Sequence, residues 1–154
     1  MNAFLRTVFA TAALSLIGGA ASAQDCPTEP VFVGVSSSNA DVRASASRVG
    51  RGEWSVAEHF ATEAINSGTS ARNKAAAYVN LCAALAGQRS AGAAEACSEA
   101  VTRRERWEAV NNRGAAFWLA GDLQAATADF ARAAELAPSE EAVVSNNALL
   151  ACSS

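Results

Sequence analysis

The chain has 154 residues, a formal net charge of −3, 51% hydrophobic residues, one histidine and four cysteines. That length holds one domain with a single core. Mild acidity, with Arg103-Arg104-Glu105-Arg106 as the one basic cluster and Glu99 and Glu108 beside it, speaks against nucleic acid as a partner.

Residues 1–23 read as a cleavable secretory signal peptide. Arg6 supplies the positive start, Thr7 to Gly19 the uncharged apolar run, and Ala21-Ser22-Ala23 the small-residue cleavage pattern. The run is shorter than the roughly 20 residues a membrane span needs. Asp25 before Cys26 argues against a lipoprotein cleavage box. The expectation is a soluble mature chain from Gln24 to Ser154, without stable membrane insertion, whose net charge becomes −4 once Arg6 is lost with the signal. Arginine far outnumbers lysine, with Lys74 alone, which points to a GC-rich bacterial gene and a periplasmic address. Secretion beyond the envelope stays open.

Residues 24–39 predict an extended N-terminal arm. Pro27 and Pro30 disfavour helix, Val31-Phe32-Val33-Gly34-Val35 carries the one strand-like alternation, and Ser36-Ser37-Ser38-Asn39 leads to a helix N-cap. The arm is partly apolar and should lie against something, most simply the exposed face of the first helix.

From Ala40 to Ser154 the periodicity is helical. A short helix near Asp41 to Val49 meets the turn Gly50-Arg51-Gly52-Glu53, and a second helix carries Trp54, Ala57, Ala61, Ala64 and Ile65. The next hairpin runs from Ala71 through Leu81, Cys82 and Leu85 to a turn at Gly87-Gln88-Arg89-Ser90, then through Ala93, Ala96, Cys97 and Ala100. A third hairpin places Val110, Gly114, Phe117 and Trp118 before Gly121-Asp122, and Leu123, Ala126, Phe130, Ala133 and Leu136 before Pro138. Gly121 suits the left-handed helix exit, Asp122 the next N-cap, and Pro138 the stop. A last helix, about Glu140 to Ala151, presents Val143, Val144, Ala148 and Leu149, with Glu140 and Glu141 at its start.

The spacing of Gly114, Phe117, Gly121-Asp122, Ala126, Phe130, Ala133 and Pro138 resembles the tetratricopeptide repeat, a helix pair of about 34 residues that stacks on its copies. Val110 stands where that family usually has Trp, and Arg113 where it prefers Leu. The resemblance implies an all-α fold, a short right-handed α-solenoid of about three such hairpins plus a C-terminal helix. It also implies a binding role rather than a reaction.

Tyr78-Val79-Asn80, Val110-Asn111-Asn112 and Val144-Ser145-Asn146 align with one another, Asn80 and Asn112 being 32 residues apart and Asn112 and Asn146 being 34 apart. Asn80, Asn112 and Asn146 would then form a row on the first helices, which line the concave face of such solenoids. Two readings stand: the row bonds the main chain of an extended partner peptide, or each Asn bonds its neighbouring helix and fixes the stack. Trp118 should face the same groove, as an apolar platform or as core filler. Ala76, Val79 and Ala83 beside Asn80 leave no basic clamp for a terminal carboxylate.

All four cysteines lie beyond the signal, and an even number in an exported chain favours disulfides. Cys82 and Cys97 fall on facing helices of one hairpin and are the preferred pair, a loop of about 15 residues worth roughly 3 kcal/mol by loop entropy. Cys26 would then pair with Cys152. An arm reaching about 45 Å when extended allows this, and the bridge would set the arm in the groove as a removable plug. No Cys-x-x-Cys, phosphate loop or nucleophile elbow occurs, and His59 stands alone, so no catalytic residue, metal or cofactor is expected. The reading is a non-catalytic module that binds a protein or extended peptide. The alternative is structural self-association, a homodimer formed through an apolar strip of Val143, Val144, Leu149 and Leu150.

Overall fold

The computed structural model describes residues 26–153; the signal and cleavage point expected over residues 1–23 lie outside them. Seven helices account for most of that span: α1 Ala40–Val49, α2 Trp54–Asn66, α3 Ala71–Gly87, α4 Ala93–Arg103, α5 Trp107–Ala120, α6 Leu123–Leu136 and α7 Glu141–Cys152. Their starts follow local chemistry. The side chains of Asn39, Ser70 and Asp122 accept from the backbone N–H of Val42, Asn73 and Ala125, capping α1, α3 and α6. Glu140 at the start of α7 makes no such bond, so its expected capping reduces to the charge of Glu141 in the first turn.

Gly52 (φ +69°) and Gly121 (φ +82°) take the left-handed backbone in the first and third hairpin turns. The middle turn differs from expectation. Arg89 holds the left-handed position there (φ +56°), while Gly87 is still helical. Its lack of a side chain serves packing, because a Cβ on Gly87 would overlap the ring of Trp54. Gly114 acts likewise between α5 and α6, where a Cβ would lie 2.8 Å from the Phe130 ring. That approach lets Phe130 be fully buried, and Arg113 is pinned to Asp129 across the same pair by two bonds of 2.7 Å.

Each helix packs on the next in sequence, and α1, α3, α5 and α7 also pack in series. The even-numbered helices α2, α4 and α6 do not touch one another, and α1 touches none of α5, α6 or α7, so the helices do not close into a ring. The core between them is built from alanine to an unusual degree, with Ala57, Ala61, Ala64, Ala77, Ala83, Ala84, Ala109 and Ala115 at 0% exposure. Small side chains let helix axes approach closely, and alanine is also the best helix former. Val143 and Leu149 on α7 are buried and Leu150 is half-buried. The apolar strip expected to stay uncovered on that helix is therefore reduced to Val144.

The described residues contain no strand. The alternation at Val31–Val35 is nevertheless expressed, in contacts rather than in a sheet, because the partners that meet every second residue are side chains of helices.

Candidate functional site

Asn80, Asn112 and Asn146 are each at 0% exposure, on α3, α5 and α7. An amide side chain at such burial needs both its oxygen and its nitrogen satisfied. The three meet that need in the same way, against the segment that precedes α1.

At Asn80, the N–H of Val35 donates to Oδ1 at 2.6 Å and Nδ2 donates to the carbonyl of Val35 at 3.0 Å. At Asn112, the N–H of Val33 donates to Oδ1 at 2.8 Å and Nδ2 donates back to the Val33 carbonyl at 2.8 Å. At Asn146, the N–H of Val31 donates to Oδ1 at 2.7 Å and Nδ2 donates to the Val31 carbonyl at 2.9 Å. Each side chain thus imitates the two-bond pairing of a neighbouring strand, and the alternate residues 31, 33 and 35 are those that one edge of an extended chain presents. The contacts involve main-chain atoms alone.

Spare donors tie the same amides to the helices. Asn80 Nδ2 also reaches the Val42 carbonyl at 3.2 Å and the Ser45 hydroxyl at 2.7 Å on α1. Asn112 Nδ2 reaches the Val79 carbonyl on α3 at 3.3 Å, and Asn146 Nδ2 reaches Asn111 Oδ1 at 2.9 Å. The row therefore bonds neighbouring helices, as one of the two readings expected, and an extended chain at the same time. The chain that is gripped is the protein's own. It runs past α7, α5 and α3 in turn and also packs on the first helix, Gly34 against Ala46 and Val35 in one cluster with Val42.

Two residues on that path fix how closely it lies on the helices. Phe32 packs its ring edge-on to Trp54, centroids 5.8 Å apart, and touches both the cluster of Val49, Ala57, Ala83 and Ala84 and that of Ala115, Ala126 and Phe130. Gly34 lies against α1 so closely that a Cβ there would stand 2.5 Å from the Ala46 carbonyl oxygen. Trp118 is partly buried and packs against the cluster of Ala115, Ala126 and Phe130, and its indole nitrogen is buried with no acceptor.

Two disulfides frame the site. Cys82–Cys97 joins α3 to α4 with both residues at 0% exposure, and Cys26–Cys152 joins the start of the segment to the end of α7 with both residues exposed. The two buried carboxylates, Glu108 and Asp129, are each paired with an arginine. Arg113 is held more strongly protonated by its bonds to Asp129, and the Glu105 carboxyl is lowered by Arg132. In the basic cluster Arg103 pairs with Glu99 and Arg106 with Glu108. His59 is exposed and rests on Phe60, and no group of three metal-binding side chains occurs among the described residues.

Sequence reasoning missed Asn111, whose Nδ2 also donates to the Val31 carbonyl, at 3.1 Å, together with Ser45, Trp54 and Ala46. The Asn111-Asn112 doublet was the available signal for the first. No protein-family model, curated protein or solved structure matches this chain. No helix among the described residues is long and apolar enough to cross a membrane.

Proposed function

We propose that the chain is a non-catalytic binding module, a short right-handed α-solenoid of tetratricopeptide-like hairpins exported to the bacterial periplasm. On this reading residues 40–154 form the repeat domain, residues 24–39 an extended arm, and residues 1–23 the signal that is removed. The concave face is the row α1, α3, α5 and α7, and it grips an extended segment by its main chain. One observation carries the reading: three buried asparagines in equivalent repeat positions each hold both the N–H and the C=O of every second residue in one segment. Such a ladder is indifferent to sequence, the property a peptide-accepting groove requires.

The arm is then the resident occupant, and a partner's segment gains the groove by displacing it from the Cys26 end. Selected as a plug, the arm keeps the groove dry until a partner arrives. The test uses the full mature chain carrying Cys26→Ser and Cys152→Ser, titrated with a labelled peptide of the sequence from Pro30 to Ser36. Saturable binding that Asn112→Ala abolishes supports the reading. Absence of binding at any peptide concentration removes it.

A second reading is favoured by the burial of Val35, at 6% exposure inside the main cluster with Val42, Ala76 and Val79. On that reading the arm is a permanent strap that completes the core, and partners bind elsewhere. Self-association through α7 has less to recommend it, since of the four residues of its strip only Val144 is exposed, at 55%, the others being buried or half-buried. A peptide that never exchanges with the arm, in a chain that still captures a partner, would select the strap.

A further inference from the structure

The asparagine ladder reads main chain, so whatever selectivity the groove has must come from the side chains on either edge of the gripped segment. Those edges are unequal. Phe32 packs against two clusters, Val49, Ala57, Ala83 and Ala84 on one side and Ala115, Ala126 and Phe130 on the other, with Trp54 standing edge-on at one wall. The short alanines of both clusters leave a volume that an aromatic ring fills and a short side chain leaves vacant. At residue 34 the opposite constraint holds. A Cβ would meet the backbone of Ala46 at 2.5 Å from its oxygen and 2.8 Å from its Cα. Helix backbone cannot turn aside as a side chain can, which bars every residue but glycine.

At residue 35 the valine is buried in the main cluster. By contrast, Val31 is 39% exposed and Val33 half-buried, and both border an open cleft of about 400 Å³ shared with Trp107, Glu140, Glu141, Ala142 and Ser145. That edge has room for other side chains and no fitted wall.

We propose that the groove selects extended segments of the pattern aromatic–any–glycine–valine, the pattern of its own Phe32-Val33-Gly34-Val35, and that a displacing partner carries the same four-residue chemistry. The inference rests on the groove being a peptide site. Selection is steric at residues 32, 34 and 35 and is absent at residues 31 and 33, where the main chain alone is read.

The experiment has two arms. In the first, the full mature chain with both disulfides intact carries Phe32→Ala, Gly34→Ala or Val33→Ala, and amide exchange is read at Val31, Val33 and Val35. Protection should fall by about tenfold or more in the first two variants and by no more than about threefold in the third. Equal loss in all three, or none in any, overturns the pattern. Far-UV circular dichroism reports whether the helices survive. A Gly34→Ala chain that does not fold is replaced by the second arm, in which peptides spanning Pro30 to Ser36 compete for the Cys26→Ser, Cys152→Ser chain. The parent and Val33→Ala peptides should compete alike, and the Phe32→Ala and Gly34→Ala peptides about tenfold more weakly. All four competing equally sinks the pattern while the groove stands as a peptide site. No peptide competing, with the exchange pattern of the first arm observed, sinks the peptide-site reading and leaves the selectivity as one for the chain's own arm.

Discussion

The two ends of the N-terminal segment are held by the same chemistry in different surroundings. At Val35 the asparagine, the valine and the adjoining Ser45 are all buried, and the segment is continuous with α1. At Val31 the asparagine is buried but the valine is 39% exposed, and the anchor beyond it is an exposed disulfide. A hydrogen bond shielded from water is costly to break because neither partner finds a substitute, whereas one at an open edge is replaced by solvent. The lesson is directional. Opening should begin at Cys26 and stop short of Val35.

Global stability and local seating should separate when this contrast is broken. The largest effect is expected from replacing Cys26 and Cys152 together with serine. A bridge spanning 126 residues constrains the unfolded chain, and by loop entropy a closure of that order is worth about 4 to 5 kcal/mol. Chemical denaturation measures that loss, while amide exchange at Val35 under native conditions should still report a seated residue. Asn80→Ala comes next, at about 3 kcal/mol in the same denaturation assay, because it strands the buried N–H and C=O of Val35.

Asn146→Ala should cost only about 1 kcal/mol. Asn111 still reaches the Val31 carbonyl there and Val31 is 39% exposed, so the buried acceptor left without its donor is Asn111 Oδ1 alone. Equal losses at Asn80 and Asn146 would contradict the directional account. The smallest perturbation is kinetic. Limited dithiothreitol should reduce Cys26–Cys152 well before Cys82–Cys97, since thiolate attack needs access to sulfur and only the former pair is exposed. Mass mapping of alkylated cysteines after partial reduction checks the order, and early labelling of Cys82 would overturn it.

Much of this architecture is legible one residue at a time. Asn39, Ser70 and Asp122 announce helix starts because an N-cap is a contact across three residues, and Gly52 and Gly121 announce turns because φ is a local property. Gly87 shows the limit. Its position between two helical runs resembles a turn glycine, yet its role is to admit the Trp54 ring, which comes from 33 residues earlier in the chain. Burial on α7 is another such case. Val143, Val144, Leu149 and Leu150 look alike in sequence, and only the packing of α5 and α6 decides that Val144 is left out.

The sequence by itself determined that helices of these lengths recur with an asparagine in the same place, because periodicity, caps and breakers act within a few residues. It could not determine what those asparagines hold. A buried amide is equally satisfied by a partner's main chain, a neighbouring helix or the chain's own terminus, and all three offer the same N–H and C=O groups. Tertiary structure decided in favour of the segment before α1, with the neighbouring helices as additional partners, since residues 31, 33 and 35 repeat along an extended chain in step with the spacing of α7, α5 and α3. The choice lies in that match of two repeat distances, which no stretch of sequence contains alone.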